Sequence, residues 1–319
     1  MVRTALVALA LAFALSAASL ELAKTIDVDY TVAKLKTDMH KYIVIASSDF
    51  DMDTDYCCGY SYELFKDEVT IYEVYGLSGL DSRVKKGVIE LKDKYDTIIA
   101  TDYGFVVCNV NNCTAYSRTG NVVWKAPLKI DLDVTTHSFL PFINGTMYLV
   151  GKDQRTLYIV DSKTGELRGV LRLDFKVQSI SNCDKYILLV GKDEIGNSVL
   201  ELYEVETDGD LTMLWKKVTA SDVYYSSVSD DCRYAVVSTP TTFYVLNVPN
   251  GDVIVSRDIT DELLLFANEY RITSIEMTPL TSSGLYAIIV GADGPYDLHK
   301  ILMYKYNPYE ESESNDIWG

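Results

Sequence analysis

The sequence predicts an all-β fold, a six-bladed β-propeller, with seven blades as the alternative count. The first observation behind this is a repeated strand pattern, clearest in Tyr186-Ile187-Leu188-Leu189-Val190 and Tyr234-Ala235-Val236-Val237-Ser238. Each run is followed by a second apolar strand, at 199–205 and 242–247, and then by a glycine turn, Asp208-Gly209-Asp210 or Asn250-Gly251-Asp252. Short strands punctuated by turns, at a period near ~40 residues, are the sequence form of propeller blades. The second observation is that runs such as Ile43-Val44-Ile45 are continuous and β-branched. Such strands are buried on both faces, as they are between neighbouring blades. The third is the dipeptide that closes successive hairpins, Thr119-Gly120, Thr164-Gly165 and Asn250-Gly251. Glycine there supplies the positive φ of a tight turn.

With the four strands of a blade lettered A to D outwards from the axis, the B strands begin near Tyr42, Phe105, Met147, Tyr186, Tyr234 and Tyr286. The C strands run near 69–74, 114–117, 157–161, 199–205, 242–247 and 301–306. No D strand follows the last C strand, and an open sheet edge invites aggregation. Residues 24–30 have strand character and no other partner, so they are expected to supply the outer strand of the last blade and close the ring. A seventh blade, if there is one, falls in the irregular stretch 49–86.

Residues 1–18 read as a secretory signal: Arg3 gives a positive start, the stretch 5–15 an apolar core, and Ser16-Ala17-Ala18 a small-residue cleavage site. The apolar run is shorter than the ~20 residues of a spanning helix. The propeller then occupies 19–308, followed by an acidic tail at 309–319, and the mature protein is expected outside the cytoplasm, secreted or at the cell surface. The formal charge is −17, and loss of Arg3 with the leader makes it one unit more negative. An acidic surface excludes nucleic acid and anionic lipid as natural partners, since phosphate binding needs a basic stripe. The two glutamines, Gln154 and Gln178, fit a thermophilic source, where thermolabile side chains are depleted.

Two segments, Asp161-Ser162-Lys163-Thr164-Gly165-Glu166-Leu167 and Tyr116-Ser117-Arg118-Thr119-Gly120-Asn121-Val122-Val123-Trp124, resemble the C–D turn of PQQ-like (quinoprotein-type, WD40-like) propeller repeats. In that family an Asp, a Thr-Gly turn and a trailing Trp recur blade after blade. A fourth blade keeps the Trp, Trp215, beside Asp208-Gly209. The resemblance implies architecture, and such repeats occur in enzymes, assembly scaffolds and binding proteins alike.

The longest expected insertion is the B–C connection of blade one, 47–68. It opens with Asp49, Asp51, Asp53 and Asp55 at alternating positions, with Glu63 further on. Carboxylates so close repel one another unless a cation joins them, and oxygen-only ligands suit Ca²⁺. The run resembles calcium loops in propeller hairpins of integrin-type proteins but lacks EF-hand features, having Thr54 and Tyr60 where that loop has Gly and Glu. The competing reading is a solvated acidic loop.

Six cysteines in an exported chain point to disulfides. Cys57, Cys58, Cys108 and Cys113 are expected on the B–C face of the first two blades. Cys108 and Cys113 flank one hairpin loop. Either they pair, leaving Cys57 with Cys58, or each pins the blade-one loop. Cys183 and Cys232 hold matching A–B loops on the other face and suit a bridge between blades. In the PQQ-dependent alcohol dehydrogenases that the repeats resemble, an adjacent Cys-Cys lies against the quinone. That is the origin of the enzyme alternative. The chain shows no recognisable set of quinone-binding residues.

Two sequons, at Asn112 and Asn144, are candidate glycosylation sites. His40, His137 and His299 have no metal-ligand spacing, and there is no nucleophile elbow, phosphate loop or CxxCH. Most of the 24 tyrosines are expected between blades, with Tyr56, Tyr60, Tyr62, Tyr224 and Tyr225 near loops. The tail ends in Ile317-Trp318, an apolar tip on an acidic tether suited to docking on a neighbour, even another copy. The leading expectation is therefore a non-catalytic binding or scaffold protein, self-assembling in an extracellular filament or envelope layer. Its B–C face, at 49–68, 109–112 and 292–299, is the expected recognition surface. A quinone-dependent or other extracellular enzyme is the rival.

Overall fold

The computed structural model describes residues 19–28, 34–37, 43–46, 50–54, 60–65, 68–74, 83–91, 97–101, 103–109, 112–126, 142–143, 145–263, 269–279, 285–295 and 298–309. The described chain is all-β. It begins with β1 (Ser19–Val28), then a short hairpin of β2 (Lys34–Thr37) and β3 (Ile43–Ala46). Four antiparallel four-stranded meanders follow. The first is β4 (Phe50–Thr54), β5 (Tyr60–Phe65), β6 (Glu68–Val74) and β7 (Arg83–Glu90). The second is β8 (Thr97–Thr101), β9 (Gly104–Cys108), β10 (Cys113–Ser117) and β11 (Val122–Ala126). The third is β12 (Phe142–Ile143), β13 (Thr146–Val150), β14 (Thr156–Asp161) and β15 (Leu167–Arg172). The fourth is β16 (Lys176–Asn182), β17 (Tyr186–Lys192), β18 (Ser198–Val205) and β19 (Leu211–Thr219). A fifth meander contains β20 (Tyr225–Val228), β21 (Tyr234–Ser238), β22 (Thr242–Asn247) and β23 (Val253–Asp258). The last sheet has three strands of its own, β24 (Arg271–Pro279), β25 (Tyr286–Asp293) and β26 (His299–Asn307), and β1 adds to β26 as its fourth.

That pairing runs antiparallel from Ser19 opposite Asn307 to Val28 opposite His299. The N-terminal strand therefore completes the last sheet as expected, but it starts at Ser19 rather than Lys24. Leu20 and Leu22 pack on the cluster that holds Tyr286, Tyr304 and Tyr306, which explains why the strand extends that far back.

One expectation is corrected. The strand at 43–46 and the strand at 68–74 do not share a sheet: β3 pairs with β2, and β6 belongs to the following meander. The stretch 47–68 is accordingly not one loop, because it contributes β4 and β5. The sequence Phe50-Asp51-Met52-Asp53-Thr54 has the period-two alternation of a strand. Its alternate positions carry carboxylates, which disguised it as an acidic insertion. The β4–β7 sheet is a true member of the repeat. Its third and fourth strands shift register between Ile71 and Tyr72, and the four later meanders shift at the matching place, between Ala115/Tyr116, Ile159/Val160, Leu202/Tyr203 and Val245/Leu246. A bulge at this matching position bends the outer strands of these five sheets alike.

The first strands lie against one another: β4 on β8, β8 on β12, β16 on β20, β20 on β24, while β2 touches both β24 and β4. Serine side chains stitch these inner strands. The Ser226 hydroxyl lies 3.0 Å from those of both Ser179 and Ser181, and Ser227 Oγ donates to Glu276 Oε1 at 2.9 Å. Between sheets the core is apolar and aromatic, with Tyr148, Tyr270, Tyr286, Tyr304, Tyr306, Phe105, Phe175 and Phe243 among its largest buried side chains.

The outer turns are held by the preceding sheet. Trp124 Nε1 donates to the Ser162 carbonyl at 2.7 Å, and the Tyr103 hydroxyl donates to the same oxygen. Tyr148 Oη donates to Gly209 O at 2.9 Å, with Arg168 Nη1 reaching Asp208 O at 3.4 Å. Trp215 Nε1 donates to Val248 O at 2.8 Å. The trailing tryptophan of the repeat is thus a tether, satisfying a carbonyl that the next tight turn leaves unpaired. Gly251, in the turn between β22 and β23, has φ +69°, and a Cβ there would stand 3.0 Å from the Trp215 ring and 2.8 Å from Lys217 Cε.

Two substitutions test the joint. Trp215→Phe keeps most of the ring contact but removes the donor, and should lower unfolding free energy by about 1 kcal/mol. Gly251→Ala adds a left-handed backbone cost of roughly 1–2 kcal/mol to the clash with Trp215, and should be the worse of the two. Denaturant unfolding of each variant reads the difference.

Candidate interaction surface

The two bridges come first, because they fix the connections that carry the candidate surfaces. Cys108 and Cys113 face each other across the β9–β10 hairpin and are joined, with Cα atoms 4.2 Å apart. Below the bridge, Asn109 N–H donates to Asn112 O and Asn112 N–H to Asn109 Oδ1, both at 2.9 Å, so the Asn112 sequon sits on a tied turn. Cys183 and Cys232 join the β16–β17 connection to the β20–β21 connection, with Cα atoms 5.6 Å apart. Cys232 has φ +59°. On its other side the same connection is held by Asp231, which accepts from the Tyr286 hydroxyl and, at 2.7 Å, from Ser229 Oγ. One loop therefore couples three consecutive sheets. Burial raises the pKa of Tyr286, and the hydrogen bond to the Asp231 carboxylate raises it further.

Of the other residues marked by the sequence, Asp51 and Asp53 lie in β4 and Glu63 in β5, where the register sets Glu63 opposite Met52 and Asp53 opposite Tyr62. Asp49, Asp55, Cys57, Cys58, Asn144, Ile317 and Trp318 lie outside the described residues. Cys57 and Cys58 fall between β4 and β5, a first-to-second strand connection. The common face expected for those four cysteines lies, for Cys57 and Cys58, outside the described residues. Among the described residues no group of three His, Cys, Asp or Glu side chains is arranged to hold a metal ion.

One surface the structure builds was missed by the sequence reading. It lies on the second-to-third strand face, but over the third and fourth meanders. An open depression of about 410 Å³ is lined by Arg155, Asp174, Asp193, Glu194 and Ile195. The β17–β18 connection forms its rim through a tight hydrogen-bond set. Asp193 Oδ1 accepts from Ile195 N at 3.0 Å and Asn197 N at 2.8 Å, and Asp193 Oδ2 accepts from Asn197 Nδ2 at 3.1 Å. Asp193 N donates to Asn197 O at 3.0 Å, and Gly196, at φ +92°, closes the turn. The result presents Ile195 outwards, 85% exposed. Loss of water pushes the Asp193 carboxyl upwards, but the donors Asn197, Ile195 and Gly196 outweigh it, and its pKa lies below the ordinary 3.8.

The opposite wall is fixed by Asp153. It accepts from Arg155 N and Thr156 N at 3.0 Å and from Thr156 Oγ1 at 2.7 Å, and the Arg155 guanidinium reaches Glu194 at 3.4 Å. Beside Asp174 lies a charged set. Lys216 Nζ lies 2.8 Å from Asp174, 3.0 Å from the buried Glu201, and 5.9 Å from the Phe175 ring centre. Tyr203 Oη donates to Glu201 Oε2 at 2.5 Å. Burial, then the Glu201 bond, hold the Tyr203 proton on. Burial works against the Lys216 charge, but Asp174 and Glu201 outweigh it and raise its pKa. Each charge is compensated locally, and the exposed apolar group is Ile195. Such a surface fits recognition, an apolar knob on a fixed loop beside a polar hollow.

No protein-family model matches the chain, and no curated protein does. Solved structures do match. BamB from Moraxella catarrhalis aligns over 90% of this chain and 97% of its own, with TM-score 0.51 and 12% identity. Kluyveromyces lactis Hsv2p aligns over 76% and 73%, with TM-score 0.53 and 12% identity. The WD40 domain of Toxoplasma gondii coronin aligns over 93% and 88%, with TM-score 0.59 and 9% identity. At such identities the likeness shows the fold alone: a WD40/PQQ-like β-propeller.

Two outcomes follow. Replacing Cys183 and Cys232 with serine opens a closed segment of 49 residues' separation, and should lower stability by roughly 2–4 kcal/mol, read by denaturant unfolding with and without reductant. Asp193 has a depressed pKa in the folded chain, so its contribution is complete above 3.8 and fades as pH falls below that value. Amide-exchange protection of Ile195 and Asn197, corrected for intrinsic rates, should hold at neutral pH and fall in acid. Asp193→Ala should lose it at both.

Proposed function

We propose that this chain is an exported, disulfide-stapled propeller that acts as a non-catalytic binding or scaffold module at the cell surface, in a filament or envelope layer. The observation that carries the reading is Ile195, an exposed isoleucine fixed on a hydrogen-bonded loop above an open, charge-compensated depression. Water pays no attention to such a group's order, whereas a partner that buries it gains its apolar area without an ordering cost. The two disulfides support an oxidising compartment.

The blade count in this reading is seven, with β2–β3 as a short blade. Support comes from β2, which touches both β24 and β4 and so fills the place between the last sheet and the β4–β7 sheet. The ring then closes twice, through β2 on β24 and through β1 on β26. Asp49, Asp51, Asp53 and Asp55, with Glu63, remain proposed Ca²⁺ ligands. Asn112 and Asn144 remain proposed glycan sites.

The test uses the mature protein and the envelope fraction of the cells that export it. Wild-type protein should sediment with envelopes, and Ile195→Asp should bind roughly tenfold or more weakly, as a central apolar anchor does. Intact mass should show a start at Ser19 and a rise on reduction. Equal binding by both proteins would sink the assignment of the surface. Turnover of an artificial dye on adding PQQ would replace the scaffold reading with the enzyme one.

A further inference from the structure

The outer strands of three consecutive sheets run against the net charge of the whole chain. β11, β15 and β19 carry Lys125, Arg168, Arg172, Lys216 and Lys217 and not one Asp or Glu, in a chain whose formal charge is −17. They are also apolar where they meet solvent. Val122 is 58% exposed, Leu167 49%, Met213 52% and Val218 56%. Each is the last strand of its sheet, so its outer backbone edge has no strand beside it among the described residues. β19 is the longest of the three, with nine residues. A long, apolar, positively charged edge is a template for an added strand.

The same chain supplies a segment of the opposite character. Residues 310–319 carry Glu310, Glu311, Glu313 and Asp316, no Lys or Arg, and the apolar pair Ile317-Trp318. Extended, ten residues reach about 33 Å. β19 measures about 30 Å, so the two match in length as well as in charge and apolar content. The tail leaves from Tyr309, which follows β26 and lies 3.4 Å from Arg233 at the start of β21. The β20–β23 sheet stands between that point and β19 of the same molecule. One sheet-to-sheet spacing from that sheet consumes at least ~10 Å, which leaves the tail too short to pair along the whole of the edge. A neighbouring molecule's β19 has no such restriction.

We infer that the β19 edge accepts the C-terminal tail of a second copy of this chain as an added strand, with the tail carboxylates over Lys216 and Lys217 and its Ile317-Trp318 tip on Met213 or Val218. The lysines already pair with Asp174, Glu201 and Asp252, and the tail joins those pairs at their solvent side. Tail and edge are different patches, so the contact is head-to-tail. Such contacts close into rings or run on as filaments. The inference deepens the scaffold reading by naming one partner and its surface, and it uses no part of the Ile195 loop.

The experiment is a complementation in sedimentation velocity, using the full mature chain. Wild type should grow in mass as its concentration rises from micromolar to millimolar. Met213→Asp with Val218→Asp, both at exposed positions, should give a folded monomer, and so should Ile317→Asp with Trp318→Asp. Mixed, the first variant keeps a tail and the second keeps an edge, so the pair should form one-to-one dimers and nothing larger. A synthetic peptide of residues 310–319 in excess should dissolve the wild-type assembly. Persistence of association in the tail variant, with loss in the edge variant, would mean that two β19 edges pair directly and would overturn the inference. So would monomeric wild type, or a mixture that stays monomeric. Envelope binding through Ile195 is measured separately and survives either result.

Discussion

A sheet that is apolar on both faces cannot stand alone in water, and every other feature of this molecule follows from that constraint. β9, β13 and β25 are buried along almost their whole length, with no solvated face to alternate against. Each sheet therefore requires a neighbour packed against its faces. The burial is non-directional. It holds the sheets together without saying at what angle or height they should meet.

Directional contacts supply that. At three successive joints a side chain of one sheet reaches a turn carbonyl of the next: Trp124 and Tyr103 to Ser162, Tyr148 to Gly209, Trp215 to Val248. A turn carbonyl left without a donor beside an apolar face is costly, so each tether sets one height for the next sheet. At the following joint the direction reverses, and Asp231 in the earlier sheet accepts from Tyr286 in the later one. The Cys183–Cys232 bridge lies on that same connection. The molecule thus concentrates its covalent and polar ties where three sheets share one loop.

How much of this was legible in the sequence depends on what each residue answers to. β17 and β21 could be read directly, because a tyrosine followed by continuous aliphatic residues suits a doubly buried strand in any context. The pairing of the N-terminal strand with the last sheet was legible from a missing strand, although its start at Ser19 was not, since Leu20 and Leu22 stand opposite Tyr306 and Tyr304 and pack on their cluster. β4 was misread. Asp51 and Asp53 are poor strand formers by propensity, and the sheet they join, not their own preference, makes them strand. The Ile195 surface left a faint trace in Asp193 and Gly196-Asn197, a loop signature whose rigidity appears only once five hydrogen bonds are counted around one carboxylate and its backbone. Bulk charge hid the basic outer strands entirely, because a net of −17 averages over the whole chain.

The tethers also explain how such a fold persists with so little shared sequence. Their acceptors are main-chain carbonyls, which every residue possesses, so only the donor side is constrained. Even there the three joints differ: an indole with a phenol, a phenol with a guanidinium, then an indole alone. Any donor of suitable reach satisfies the same oxygen, and any β-branched or aromatic residue fills the same inter-sheet layer. The geometry is specified repeatedly while the letters that specify it are free to change. Function is free in a second sense: the Ile195 loop and the solvent-facing side chains of the outer strands take no part in those joints. Ile195 and the exposed Met213 and Val218 of β19 are side chains those joints do not use, which is why the fold was readable from repeats and the surfaces only from the arrangement of individual side chains.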